Sequence, residues 1–235
     1  ISGDVSPGDF AAPELRLTSP FISVSHKMDL PGGWSASPSV GLRQYSHNVL
    51  KSESAHQAGL VFAQGERLAL RAQMSKGINY PGLDAAVLTH LIPALGITWR
   101  SLAAERLDHQ EWGLSWKPST DTSVDVAVFK DRVNGRYIFA FPPAVAAPAF
   151  VNMGSYQVTG SELTWAQKVG KSWQFFAGWT HLDSDKSDLP YAREDSVTMG
   201  MNWQQGPWRA SADAQHQTRM TVLGQARNGS LNTVQ

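Results

Sequence analysis

The chain has 235 residues, with 20 basic and 20 acidic residues and a formal net charge of zero. The basic surplus that nucleic-acid binding needs is missing. There is no Cys, which excludes disulfides, thiolate metal sites and cysteine nucleophiles. Charged residues make up 17 %, against about 25 % in an ordinary soluble domain. No run of 18 apolar residues could form a transmembrane helix; the nearest, IFAFPPAVAAPAFV (138–151), is broken by Pro142, Pro143 and Pro148. Barrel strands alternate and leave hydropathy flat, so a membrane remains open.

Taken in chain order, the first predicted strand covers 14–28 and changes phase at Pro20, where a bulge is expected. The next, WSASPSVGLRQY (34–45), sets Trp34, Ala36, Pro38, Val40 and Leu42 against Ser35, Ser37, Ser39, Gly41 and Arg43. Successive side chains of a strand point to opposite faces, so this strand has one apolar and one polar face. A less regular strand follows at 55–64, and Leu68, Leu70, Ala72 and Met74 then alternate with Arg71, Gln73 and Ser75. Trp112, Leu114 and Trp116 oppose Glu111, Gly113 and Ser115; Val124, Val126 and Val128 oppose Ser123, Asp125 and Ala127. Irregular strands are expected near 155–167 and 172–182. Val197, Met199, Met201 and Trp203, then Trp208, Ala210, Ala212 and Ala214, supply the last two apolar faces. About ten strands result, many near the ten or so residues that a tilted membrane strand needs.

The links alternate in length. LPGG (30–33), QGE (64–66), PSTD (118–121), VGKS (169–172) and QQGP (204–207) are short; 46–54, 78–105, 131–154, 183–194 and everything after 217 are long. Short turns at one end and long loops at the other are the habit of outer-membrane barrels, not of Greek-key sandwiches. Trp34, Trp116, Trp173, Trp203 and Trp208 lie within a few residues of a short turn, with Trp165 slightly farther away. Indole settles where hydrocarbon meets headgroup, so these six read as an aromatic girdle. Arg43, Arg67, Arg71, Glu111, Asp125, Arg209 and Asp213 fall on the polar parity and read as facing a wet lumen, since Arg or Lys at the bilayer midplane costs roughly 2–4 kcal/mol.

Catalytic chemistry finds little support. No G-x-S-x-G, H-E-x-x-H, P-loop or G-x-G-x-x-G is present, and seven His are scattered without metal-ligand spacing. DSDKSD (183–188) lacks the Gly and closing Glu of a calcium loop and reads as solvated loop. No metal, cofactor or catalytic residue is expected. Two long loops, 80–99 (with a short helix over 83–91) and 138–151, are more apolar than solvent favours. They either pack on one another or present a ligand surface, with Tyr80, Trp99, Tyr137 and Phe141 as the aromatic contacts.

RAQMSKGINYPGL (71–83), ERLDHQEWGLSWKPS (105–119), GSELTWAQKVGKSWQFFAGWTHLDSD (160–185) and LPYAREDSVTMGMNWQQGPWRASADAQH (189–216), in that order, resemble the C-terminal half of TonB-dependent outer-membrane receptors. The resembling features are Glu111-Trp112-Gly113 after a long loop, Gly160 and Glu162 opening a later strand, and Leu189-Pro190-Tyr191 leading to Asn202-Trp203. The family's second Pro after Leu-Pro-Tyr is replaced by Ala192, Arg193 and Glu194. The resemblance implies that residues 1–235 form one segment of a 22-stranded antiparallel transmembrane β-barrel. The plug domain and last strands would lie elsewhere in the parent chain. It further implies an outer-membrane location in a Gram-negative bacterium and import of a scarce nutrient such as a ferric siderophore or cobalamin. Outer-membrane lipid, the plug, the remaining strands and TonB would be the partners. A passive porin or a small self-contained barrel, and a soluble all-β binding module with the apolar faces as its core, stand as alternatives.

Overall fold

Period-two alternation between glycine-marked turns makes long antiparallel strands, and the computed structural model shows how they join. It describes residues 14–85, 102–140, 149–152, 154–186, 194–218, 220–222, 225–227 and 231–234. The strands are β1 (Leu17–Thr18), β2 (Phe21–Ser25), β3 (Met28–Leu30), β4 (Trp34–His47), β5 (Glu53–Gln64), β6 (Leu68–Asn79), β7 (Glu105–Ser119), β8 (Thr122–Asn134), β9 (Tyr137–Ala140), β10 (Ala149–Asn152), β11 (Tyr156–Val169), β12 (Trp173–Ser184), β13 (Asp195–Gln205), β14 (Trp208–Gln217), β15 (Met220–Val222), β16 (Gln225–Arg227) and β17 (Leu231–Val234). A 13-stranded sheet runs β1-β4-β5-β6-β7-β8-β11-β12-β13-β14-β17, with β2 and β3 also on β4; β9–β10 and β15–β16 are separate hairpins. All of the pairings are antiparallel.

Pro20 makes no bulge. Leu17 faces His47, Phe21 faces Arg43 and Met28 faces Ala36, one unshifted register along β4. Pro20 interrupts the ladder because it has no N–H to give, while its carbonyl still accepts from Gln44 N at 3.0 Å. The lapse resembles a phase change in sequence but leaves the faces where they were. A true irregularity sits between Trp116 and Ser119, where the β7–β8 register shifts beside Pro118.

The links sort by end. Residues 31–33, 65–67, 120–121, 170–172 and 206–207 turn at one edge, with Gly170 and Gly206 at φ 61° and 59°, a region that costs glycine least. The long links, 48–52, 80–104, 135–155, 185–194 and 218–230, leave and rejoin the main sheet at the other edge. Residues 83–85 are helical; the rest of the helix expected over 83–91 lies outside the described residues. In long link 135–155 the β9–β10 hairpin stands apart from the main sheet.

Directly opposed residues share a face, so register carries one parity across the sheet. Leu70 faces Leu114, which faces Val126, which faces Leu163, which faces Trp179, which faces Val197. Among the described residues no large side chain is fully buried, and the buried apolar residues are mostly Ala and Tyr. Most of the large apolar side chains are instead laid out on one face, with Phe21, Val61, Phe129 and Phe176 on the other.

Candidate functional site

The apolar face fixes the surroundings of the sheet. Val40, Met74, Trp112, Met199 and Trp208 on it are exposed, Met199 by 55 % and Trp208 by 72 %. Burying such a side chain is worth roughly 1.5–3 kcal/mol, so this face demands an apolar medium. The apolar stretch runs from Leu68 to Met74 on β6 and from Trp173 to Trp179 on β12, about 20 Å at roughly 3.3 Å per residue. Trp34, Trp116, Trp165, Trp173, Trp203 and Trp208 all lie on this face at its short-turn end; Trp173 and Trp203 are directly opposed, with ring centroids 6.2 Å apart. Toward the long loops the same parity turns polar, with Lys76, Asp108 and Arg132 opposed in one row across β6, β7 and β8.

The polar face carries Arg43, Arg71, Glu111, Asp125, Arg209 and Asp213. Arg67 is an exception: it sits in the turn at 65–67, where strand parity does not set its direction. At mid-strand the Arg71 guanidinium gives hydrogen bonds to Ser115 Oγ at 2.8 Å, Asp125 Oδ1 at 3.2 Å and Glu111 Oε1 at 3.3 Å. Ser115 Oγ donates to the same Asp125 oxygen at 2.5 Å. His109 stands 2.6 Å from Asp131 and 3.6 Å from Glu111, which extends the network toward the long loops. Arg71, Glu111, Asp125, His109 and Asp131 thus form one connected set of charged partners within the wall.

Two cavities open on the polar side. One, of about 320 Å³, lies beside Arg43, Tyr45, Gln57 and Ser75. Phe21 and Tyr45 flank the Arg43 guanidinium at 5.0 and 5.9 Å from their ring centres, a cation–π arrangement. The other, of about 570 Å³, lies at the short-turn end between Lys168, Lys171, Gln174, Gln204 and Arg209.

At the long-loop end the predicted aromatic contacts separate. Tyr80 is only 8 % exposed; its hydroxyl donates to Lys51 O at 2.8 Å and its ring lies over His47 at 5.1 Å. Tyr137, half-buried on β9, donates to Tyr80 O at 3.3 Å and accepts from Asn79 Nδ2 at 3.4 Å. Burial raises both phenols above their ordinary values; the Glu53 charge adds to the shift at Tyr80, and the Asn79 bond opposes it at Tyr137. Trp99 and Phe141 lie outside the described residues. Asn152 ties the β9–β10 hairpin down: Oδ1 accepts from Ala103 N at 2.8 Å, and Nδ2 donates to Gly135 O at 2.6 Å and Ala103 O at 3.2 Å. In DSDKSD, the Asp185 carboxylate accepts from Gln157 N at 2.8 Å, and Asp188 lies outside the described residues. No group of three His, Asp or Glu among the described residues is placed to hold a metal ion.

This geometry agrees with comparison to known proteins. Residues 23–234 match the family model described as TonB dependent receptor-like, beta-barrel. The chain belongs to the TonB-dependent receptor family. Its members are outer-membrane receptors of Gram-negative bacteria, transport proteins and not enzymes. No curated protein matches the sequence. Among solved structures, the siderophore receptor PirA from Acinetobacter baumannii is 10 % identical with a TM-score of 0.71, covering 94 % of this chain and 38 % of that one. A variant of the ferric enterobactin receptor PfeA from Pseudomonas aeruginosa, in complex with enterobactin, is 15 % identical at a TM-score of 0.68, covering 94 % and 36 %. The FrpB iron transporter from Neisseria meningitidis is 15 % identical at 0.65, covering 95 % and 38 %. The chain thus spans well under half the length of the solved receptors it matches, and the likeness is one of fold.

Within this receptor barrel segment, three features escaped the sequence. The pairing of Arg71 with Asp125, 54 positions away, depends on register, and so does that of His109 with Asp131. Asn152 has no local signature, since Ala103 comes from another link and Gly135 from the far end of its own. The Lys76–Asp108–Arg132 row was readable: all three stand on the apolar parity of strands whose apolar run has ended.

Proposed function

We propose that this segment is wall and loop of an active-transport receptor, which captures a scarce metal chelate at the cell surface and imports it with energy from TonB. The reading rests on one observation above all. A sheet of the TonB-dependent receptor family sets a lipid-compatible face, about 20 Å of apolar side chains at roughly 3.3 Å per residue, back to back with a polar face that carries the Arg71–Glu111–Asp125 network. In this role Arg43, Arg71, Glu111, Asp125, Arg209 and Asp213 line the lumen, and the six short-turn tryptophans settle at the periplasmic interface. Tyr80, Trp99, Tyr137 and Phe141 belong to the loops that meet the ligand, with Tyr80 holding loop bases together from its buried position. The plug, the remaining strands and the TonB contact come from other parts of the parent polypeptide. Ferric siderophores are the favoured cargo, because solved relatives are named as a siderophore receptor and a ferric enterobactin receptor; cobalamin is the alternative.

The test is uptake of iron-labelled ferric enterobactin by cells with and without the full-length polypeptide, before and after a protonophore collapses the inner-membrane potential. Uptake that needs both the polypeptide and the potential supports the reading. Uptake indifferent to the potential points to a passive pore, and a polypeptide recovered soluble without detergent would overturn both membrane readings.

A further inference from the structure

The link after β4 turns on the histidine that ends the strand. Nδ1 of His47 accepts from Val49 N and from Leu50 N, each at 3.0 Å. An imidazole nitrogen takes such bonds only while it carries no proton, and burial already lowers the pKa of this ring from its ordinary value. The two bonds set what the next residues reach. Leu50 packs on the small cluster of Ala85 and Leu102, which also holds Leu15 and, from β10, Phe150. Asn48 clamps residues 14–16: its Oδ1 accepts from Arg16 N at 3.0 Å and its Nδ2 donates to Glu14 O at 2.8 Å. Lys51 O accepts from the Tyr80 hydroxyl, and Tyr80 O accepts from the Tyr137 hydroxyl on β9. One turn therefore touches the segment before β1, the link after β6 and, through these contacts, both strands of the β9–β10 hairpin.

The surroundings offer an imidazolium little in return. The nearby carboxylates are engaged, Glu14 by Arg16 at 2.6 Å and Glu53 by Arg106, and Lys51 on the same link adds a like charge. Leu17 stands directly opposite on β1, and Tyr45 precedes on β4. Asp84 and Glu105 act on Tyr137. The Tyr80 ring, stacked at 5.1 Å, attracts a cation but restores no acceptor. Both nitrogens of an imidazolium are donors, so turning the ring over still sets N–H against the amides of Val49 and Leu50. We propose that His47 is an acid-sensitive latch on the long-loop end. Neutral, it holds residues 48–51 closed; protonated, it releases them, and the link after β6 and the β9–β10 hairpin loosen with them. The closed turn excludes a proton that the open turn binds. Its stability is present in full above the ordinary imidazole value of about 6.5 and declines as pH drops below it, until the lowered folded value is reached. The latch concerns the loops themselves and stands whichever cargo the receptor carries.

The experiment is hydrogen exchange, read by mass spectrometry, on the full-length polypeptide purified from outer membranes in mild detergent. It runs from about pH 7.5 down to about pH 5, where histidine changes charge, with the intrinsic pH dependence of exchange divided out. Protection of peptides spanning 47–52 and 149–152 is expected to fall by up to about tenfold per pH unit, the limit for one proton, while peptides within 109–116 keep theirs. His47→Asn sets an amide oxygen where Nδ1 stands and takes no proton in this range, so its protection is expected to stay level. His47→Phe has no acceptor and is expected to leave 47–52 unprotected at every pH, with unchanged heat-dependent gel mobility. A level profile in the unaltered polypeptide overturns the proposal. So does the same acid loss in folded H47N, or loss in 47–52 with 149–152 unaffected. Should H47F fail to assemble, the unaltered polypeptide and H47N decide between them. A level profile leaves the transport reading standing, and uptake indifferent to the inner-membrane potential leaves the latch standing.

Discussion

Arg71 and Gly113 stand directly opposite each other on β6 and β7, and the arginine side chain lies across the glycine. A Cβ built on Gly113 would collide with Nε, Cζ and Cγ of Arg71. The missing side chain is what lets the guanidinium lie along the wall and reach Glu111, Ser115 and Asp125 together. The same device recurs on this face, where Phe129 lies over Gly160 and Phe176 over Gly200, each pair directly opposed. Large side chains fold flat against glycines, and space in front of the wall is kept open.

Gly113→Ala is therefore expected to displace Arg71 and break at least its bond to Asp125, costing about 1–3 kcal/mol as overpacking usually does. Gly178→Ala is the control, because its Cβ would meet only Leu163 O at an ordinary 3.9 Å. Urea midpoints of the refolded full-length polypeptide in lipid vesicles measure both. Equal midpoints for the two variants would remove the packing role assigned to Gly113.

Charge on the two faces should have opposite consequences. Leu70, on the apolar belt, and Gln73, opposite Glu111 on the polar face, are three residues apart on the same strand. Leu70→Arg is expected to destabilise by roughly 2–4 kcal/mol, the cost of a cation within the hydrocarbon. Gln73→Arg is expected to be near neutral, since it enters a wet face beside a carboxylate. Outer-membrane assembly yield and heat-dependent gel mobility read the difference. If the two substitutions were equally tolerated, the apolar face would not be facing lipid.

Much of this arrangement was legible in the sequence, and the part that was not has a common cause. Alternation and turn chemistry are local, so the long strands, both parities and the ordering of short and long links all follow from neighbouring residues. Register is not local. Nothing near Arg71 announces Asp125, and nothing near His109 announces Asp131. Pro20 misleads for a related reason: a missing N–H and a shifted phase look alike until the partner strand is known, and Gln44 N on Pro20 O decides between them. The sequence leaves the loop of Tyr80 between packing and ligand contact, because its partners Lys51 and His47 belong to a different link.

The two loop phenols give a pH signature. Burial raises Tyr80 and Tyr137 above the ordinary tyrosine value in the folded state. Their contribution is present in full below the unfolded value near 10 and is lost as pH rises through the higher folded values, because the unfolded chain then releases protons first. Ultraviolet titration of the folded full-length polypeptide should show late-ionising tyrosines, and Tyr80→Phe and Tyr137→Phe should each remove one of them. A titration unchanged in both variants would mean that neither phenol is buried in the assembled protein.

Asn152 offers the most direct control over the long-loop end. Its amide satisfies Ala103 N, Ala103 O and Gly135 O at once, bridging the link after β6, the link after β8 and the β9–β10 hairpin. Asn152→Ala leaves those backbone groups to water and removes the bridge, while Asn152→Asp keeps only the acceptor for Ala103 N. The cost of leaving such groups unpaired is about 1–3 kcal/mol, and it falls on the loops because the barrel strands do not use this side chain. Faster proteolysis within 135–155 on intact cells is expected for Asn152→Ala, with an intermediate rate for Asn152→Asp and unchanged heat-dependent mobility for both. Loss of mobility in step with proteolysis would place Asn152 in the stability of the barrel itself, and equal proteolysis of all three proteins would deny it any hold on the hairpin.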